Sequence, residues 1–291
     1  MSKKFLMALL AAVLTLPLLA ADAPLRRVFV TRHGQQPGKE STIKGDVYLT
    51  DLGREQATLL GKYLKSQNFK GKIYASPYLR TVETAVFIGR ELGCKVYPEP
   101  RFQERVGDHR KGKDVPNTPN LKNGGHTLAM FRELFPDGIA DDAKLPDNWP
   151  LATPEDYNTT QTARIMNGLA DVLKEQPEGD VLIVSHAGGV RGFTVGFTAA
   201  GCKVSKGSSY NCCLFTYGVN KAGEYPRFSV KDGKLCCEGA NGQYSFLDYT
   251  ISYIPEDKIT SNFSYKNNPE AEKAFKASKN YKDKKSKKSK K

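Results

Sequence analysis

Three short apolar runs in this sequence end in residues suited to one kind of chemistry. Arg27-Val28-Phe29-Val30-Thr31 leads into Arg32, His33 and Gly34; Lys72-Ile73-Tyr74-Ala75 leads into Ser76, Pro77 and then Arg80; Asp180 to Val184 leads into Ser185 and His186. Guanidinium groups match phosphate oxygens with paired donors and stay charged at any working pH, while a neutral imidazole is a nucleophile toward phosphorus. Two histidines and two arginines gathered in one crevice would therefore suit a phosphoryl group. A metal reading would make the histidines ligands, but Arg32 would repel the cation and no carboxylate cluster accompanies them, so neither a metal nor another cofactor is expected.

Gathering these residues requires strands that end side by side. Leu49 to Lys65 reads as a helix, with Thr50 as its N-cap and Leu52, Leu60, Tyr63 and Leu64 along one face. Helical spacing returns at Val82, Ala85, Val86 and Gly89, at Ile165, Leu169, Val172 and Leu173, and again from Gly188 to Ala200; Lys95 to Tyr97 reads as a third short strand. Strands alternating with helices imply an α/β fold with a mostly parallel sheet covered on both sides, whose ligands bind beyond the carboxyl ends of the strands. Leu214 to Val219, Arg227 to Lys231 and Tyr244 to Ile254 read as antiparallel edge strands. Between Arg110 and Asp156 the pattern weakens into Gly, Pro, Asn and Asp, apart from a helix-like Leu128 to Phe135. Residues 110–156 are thus read as a lid-like excursion from a catalytic domain over 24–265, a natural place for substrate selection.

Five motifs in order then resemble a known family. They are Thr31-Arg32-His33-Gly34, Leu49-Thr50-x-x-Gly53-x-x-Gln56-Ala57, Ser76-Pro77-Tyr78-Leu79-Arg80-Thr81-x-x-Thr84-Ala85, Glu104-Arg105 ahead of Gly107, and Ser185-His186-Ala187-Gly188-Gly189-Val190-Arg191. Together they resemble the histidine phosphatase superfamily, in its phosphoglycerate-mutase-like branch (branch 1). The resemblance implies a three-layer α/β/α sandwich with His33 as the nucleophile that forms a phosphohistidine. It implies that Arg32, Arg80 and His186 hold the phosphoryl oxygens and that Glu104 protonates the leaving oxygen, then serves as base for water. A bell-shaped pH profile follows from that division of labour. The sequence departs from the family after Gly34, where an expected Asn is missing; Gln35 or Gln36 is the candidate substitute as a substrate-binding donor. It departs again after Glu104, where His109 and Arg110 are either a site for extra substrate charge or a solvated basic loop.

The composition narrows the partners. The 291 residues are 39% hydrophobic and 26% charged, as in ordinary globular chains, which excludes a mostly disordered or collagen-like protein. Of the net charge of +13, the ten lysines and three acidic residues from Glu270 to Lys291 supply +7. The rest is only mildly basic, so no specific nucleic acid is expected. Residues 266–291 read as a disordered Lys-rich tail, either simply solvated or drawn to an anionic membrane surface. At the other end Lys3 and Lys4, the apolar run Phe5 to Leu19 and the alanines around Asp22 have the order of a signal peptide over residues 1–21. Export, to the periplasm or outside, is expected, with a phosphorylated small molecule or an envelope-associated compound as substrate. The leading function is a metal-independent phosphatase acting through phosphohistidine; a mutase-like phosphotransferase and a non-catalytic phosphate- or polyanion-binding protein are the alternatives. Six cysteines give an even number that an exported protein could pair, and Cys212-Cys213 and Cys236-Cys237 fall in strand-like segments.

Overall fold

The computed structural model describes residues 26–36, 48–105, 126–146, 149, 155, 158–203, 209–219, 225–238 and 246–253. The signal-like leader, the Lys-rich tail, His109 and Arg110, and much of the 110–156 excursion lie outside the described residues. Strand β1 (Arg26–Arg32) is followed by α1 (Asp51–Ser66), β2 (Gly71–Ala75), α2 (Leu79–Leu92) and β3 (Val96–Pro98). A short 3-10 turn, Pro100–Phe102, and α3 (Leu128–Leu134) lead to α4 (Thr160–Glu175), β4 (Asp180–Ser185) and α5 (Ala187–Ala199). Four strands close the order: β5 (Leu214–Val219), β6 (Arg227–Lys231), β7 (Lys234–Glu238) and β8 (Phe246–Tyr253).

The main sheet runs β3-β2-β4-β1-β5-β8. Its first four strands are parallel, and β5 and β8 are antiparallel additions at one side. All six residues of β4 are buried, because this strand lies between β1 and β2 with helices over both faces. Its side chains divide by the two-residue period of a strand. Val181 and Ile183 pack with Ile165, Leu169, Phe193 and Phe197 of α4 and α5. Leu182 and Val184 pack with Leu60 and Leu64 of α1 and Val82 and Val86 of α2. The molecule is thus an α/β/α sandwich of the phosphoglycerate-mutase-like kind.

Local chemistry sets the element ends. The Thr50 hydroxyl accepts from the Gly53 amide at 3.1 Å and caps α1, whereas α2 stops at Gly93 in the left-handed conformation, φ 69°. Close approach explains Gly34 and Gly53, since a Cβ on the first would strike the Gly53 carbonyl and one on the second the backbone of Gln35.

Two expectations need correction. The Arg227–Lys231 strand is not an edge of the main sheet: β6 pairs only with β7, in a separate hairpin lying against α4. Asn167 of α4 holds it, accepting from the Phe228 amide at 2.9 Å and donating to the Phe228 carbonyl at 2.8 Å. The turn between the strands is Asp232-Gly233, both at positive φ, a two-residue hairpin signal that was present in the sequence. Cys212 and Cys213 precede β5 rather than lying in it, with Cys212 at φ 54°. All six cysteines are thiols, and burial pushes the Cys213 thiol up to about 12.

Candidate active site

The register of the sheet brings three chain segments to one level. β1 pairs with β4 as far as Arg32 opposite Ser185, and β2 with β4 as far as Ala75 opposite Val184. Beyond those pairs the His33 amide donates to the Ser185 carbonyl at 2.9 Å and the Ser76 amide to the Val184 carbonyl at 3.0 Å. Arg32, His33, Ser76, Arg80, Ser185 and His186 are all buried there. Helices α2 and α5 both begin at this end, so the positive ends of their dipoles face it.

Hydrogen bonding fixes the state of both histidines. His33 Nδ1 lies 2.8 Å from the Gly34 carbonyl, which can only accept, so Nδ1 carries the hydrogen. Burial first, then the charges of Arg80 and Arg32, hold this imidazole well below its ordinary value. The neutral ring therefore keeps its lone pair on Nε2, the atom that would attack phosphorus. His186 is the mirror case. Arg80 Nη2 donates to its Nδ1 at 3.1 Å, which leaves Nε2–H to donate to the Ser76 hydroxyl at 2.8 Å. Burial, Arg80, His33 and Arg32 hold this ring neutral too. The two imidazoles meet edge to face at 5.5 Å, and Tyr78 backs His186 with its ring at 4.9 Å.

The arginines supply the complementary charge. Arg80 lies over the Tyr78 ring at 4.7 Å. Arg32 donates through Nη1 to the Ser209 carbonyl at 3.2 Å, while its buried Nε has no acceptor among the described residues. A buried guanidinium donor without a partner is a polar group waiting for an anion. The segment before β5 closes this corner: Asn211 donates to the His33 carbonyl at 2.7 Å and the Cys212 amide to the Arg32 carbonyl at 3.0 Å.

Glu104 follows the 3-10 turn that leaves β3. Its Oε1 accepts from the Arg105 amide at 3.1 Å and from Gln161 Nε2 at 3.4 Å. Its Oε2 lies 3.9 Å from His186 Nδ1, too far for a hydrogen bond and, with the imidazole neutral, no ion pair. The side chain is 20% exposed, so it sits at the margin of the pocket with access to water.

Arg32, His33, Arg80, His186 and Glu104 thus come together, as the motifs imply. Gln35 belongs to the frame around them: its side-chain oxygen accepts from the Thr50 hydroxyl at 2.8 Å, and its amide donates to Gln56 at 2.9 Å. Gln36 has a buried side-chain oxygen without a partner among the described residues. Sequence reasoning gave no role to Ser76, Asn211, Gln161 or Arg164. Ser76 was visible at a strand end, but Asn211 reaches His33 across 178 positions, and no local pattern marks it. Among the described residues, no group of three or more His, Cys, Asp and Glu side chains is placed to hold a metal ion.

Comparison with known proteins finds relatives of part of this chain. An uncharacterized protein of Acanthamoeba polyphaga mimivirus (R658) is 32% identical over 125 residues, 43% of this chain and 20% of its own length. The "Probable phosphoglycerate mutase GpmB" of Enterobacter sp. (strain 638) is 28% identical over 183 residues, 62% of this chain and 73% of its own. The chain therefore spans well under two thirds of the viral relative. Among solved structures, the ecdysone phosphate phosphatase of Bombix mori in complex with tungstate is 16% identical, covers 82% of this chain and 98% of its own, and superposes with a TM-score of 0.47. The pattern of one family matches residues 28–223, a stretch that runs from β1 past β5 and takes in every residue of the pocket, so this chain belongs to the histidine phosphatase superfamily (branch 1).

Proposed function

We propose that the protein hydrolyses a phosphomonoester through a phosphohistidine on His33, without a metal ion. The observation that carries this reading is the neutral, buried His33, committed through Nδ1 to the Gly34 carbonyl and flanked by two guanidinium groups. In the first step the Nε2 lone pair forms a bond to phosphorus as the phosphorus–oxygen bond of the ester breaks. The electron pair leaves with the ester oxygen, which takes its proton from the Glu104 carboxyl group. Arg32 and Arg80 hold the equatorial oxygens, where negative charge gathers during the transfer, and His186 joins them by turning its Nε2–H from the Ser76 hydroxyl to the phosphoryl group. In the second step the Glu104 carboxylate takes a proton from water as the water oxygen attacks phosphorus. The nitrogen–phosphorus bond then breaks, its electrons return to Nε2, and inorganic phosphate departs. Gln35 or Gln36 would supply the donor that the family's missing Asn would give.

Export to the periplasm or cell exterior belongs to the same proposal, supported by the basic start and apolar run of residues 1–21. The substrate is then a phosphorylated small molecule or an envelope-associated phosphoester. The Lys-rich tail over 266–291 would hold the enzyme near an anionic surface.

A second reading, transfer of the phosphoryl group to another hydroxyl, is favoured by the likeness to a protein named as a phosphoglycerate mutase. One assay separates the two: release of inorganic phosphate from an aryl phosphate with chelator present, by the wild type and by His33→Ala, with and without a phosphoglycerate as acceptor. Chelator-resistant release that disappears in His33→Ala is expected. Phosphoryl transfer to the acceptor in place of release would favour the mutase, and phosphate binding without either would make the protein a binding module.

A further inference from the structure

Glu104 is set by a helix that none of the recognised motifs contains. Arg164 of α4 is largely buried, and its guanidinium is used on three sides at once. It donates through Nη1 to the Arg101 carbonyl at 2.6 Å and through Nη2 to the Gln103 carbonyl at 3.1 Å. Its remaining reach goes to Glu155, through Nε at 2.6 Å and Nη2 at 2.7 Å, a forked pair with both partners nearly out of solvent. Gln103 immediately precedes Glu104, so one planar cation fixes the peptides from which the carboxylate projects. Three residues earlier on the same helix face, Gln161 donates directly to Glu104 Oε1 at 3.4 Å. One turn further along, Gly168 leaves room for the Arg101 side chain, which pairs in turn with Glu175 at 2.9 Å.

We infer that Arg164, braced by Glu155, is a positioning residue that aims the Glu104 carboxyl group at the leaving oxygen. The inference rests on the reading of Glu104 as proton donor. Stability alone does not account for the arrangement: a buried ion pair is on average no more stabilising than apolar residues of the same volume, whereas a rigid fork of donors fixes direction. Lysine in its place would keep the charge but could not hold two carbonyls and a carboxylate in one plane. The positive charge of Arg164 also lowers the proton affinity of His186, after burial, Arg80, His33 and Arg32, which places it within electrostatic reach of the pocket. Glu155 lies in the stretch expected to select substrates, so the same fork joins that stretch to the proton donor.

The test exploits the leaving group. A 4-nitrophenolate departs without a proton, whereas a simple alkoxide does not, so a misaimed acid harms an alkyl phosphate far more than 4-nitrophenyl phosphate. The readout is the ratio of kcat/KM for the two substrates in the wild type, Glu104→Gln and Arg164→Lys. In Glu104→Gln the ratio is expected to shift by about 100-fold or more against the alkyl phosphate, and in Arg164→Lys by about 10-fold in the same direction. An equal loss on both substrates in Arg164→Lys, or none, would overturn the inference. Should Arg164→Lys fail to fold, Glu155→Gln, which leaves the two carbonyl bonds possible, must show a smaller shift of the same sign; an unchanged ratio there overturns it as well. No turnover of either substrate by the wild type would overturn the phosphatase reading itself, and an unchanged ratio in Glu104→Gln beside an active wild type would overturn the role of Glu104.

Discussion

The strand-end pocket and the Glu104 segment differ in how firmly they are held. Arg32, His33, Arg80 and His186 are buried, and each makes a hydrogen bond of 3.2 Å or less to its surroundings. Glu104 is 20% exposed, and the nearest side-chain groups lie 3.4 and 3.9 Å away. The contrast follows from the work proposed for each. Groups that must keep one charge state throughout are best fixed out of solvent, where their partners set the proton. A group that must give up a proton and take one back needs access to water and room to move. Its aim then has to come from the peptides behind it, which is what α4 supplies.

Weakening the firm side should have the largest effect. Arg80→Ala removes a donor proposed to hold the transferring oxygens and also leaves His186 Nδ1 without its partner. A fall in kcat/KM of about 100- to 1,000-fold is expected, only partly recovered in Arg80→Lys, and steady-state kinetics showing less than a tenfold loss would break the comparison.

Next in size is a dependence of stability on pH. Both histidines have folded values well below the ordinary 6.5. As the pH falls below about 6.5 the unfolded chain takes up protons that the native state refuses, so stability is lost on the acid side, by about 1.4 kcal/mol per pH unit for each ring. Denaturant titrations between pH 7 and pH 5 should show this slope, and His186→Gln should remove one ring's share; equal slopes in the two proteins would contradict buried neutral imidazoles. By the same sign, activity should persist below pH 6.5, because His33 stays unprotonated there.

The smallest effect belongs to the frame. Thr50→Ala deletes the α1 cap and the bond to Gln35, and about 1 kcal/mol of stability should go with it. Thermal unfolding checks the loss, and kcat should stay within about twofold because the pocket's own bonds are untouched.

The legible parts of this molecule were those written locally. β4 was visible as Val181-Leu182-Ile183-Val184, and the strand ends next to Arg32, Arg80 and His186 lie side by side as the alternation of strands and helices implies. The α1 cap was visible in Thr50, because a cap depends on three neighbouring residues. What could not be read lies across long separations. Asn211 and Arg164 touch the site only after the chain has folded back on itself, and neither stands in a pattern that predicts its partner. β7 was legible only in part: Cys236-Cys237 read as strand-like, but the alternation around them is weak and the pairing with β6 went unread, although Asp232-Gly233 announced the turn.

The strand order has a consequence for how the chain reaches its working form. β1 and β2 do not pair with each other; each pairs with β4, which is made more than a hundred residues after β2. Such distant parallel pairings give a high contact order and slow folding, because the loops must close before the sheet rewards them. Until β4 arrives the two earlier strands present unpaired edges, a state open to aggregation. His186 arrives with that same strand, so the phosphoryl pocket and the centre of the sheet are completed in one event, and a chain stopped short of it would have neither.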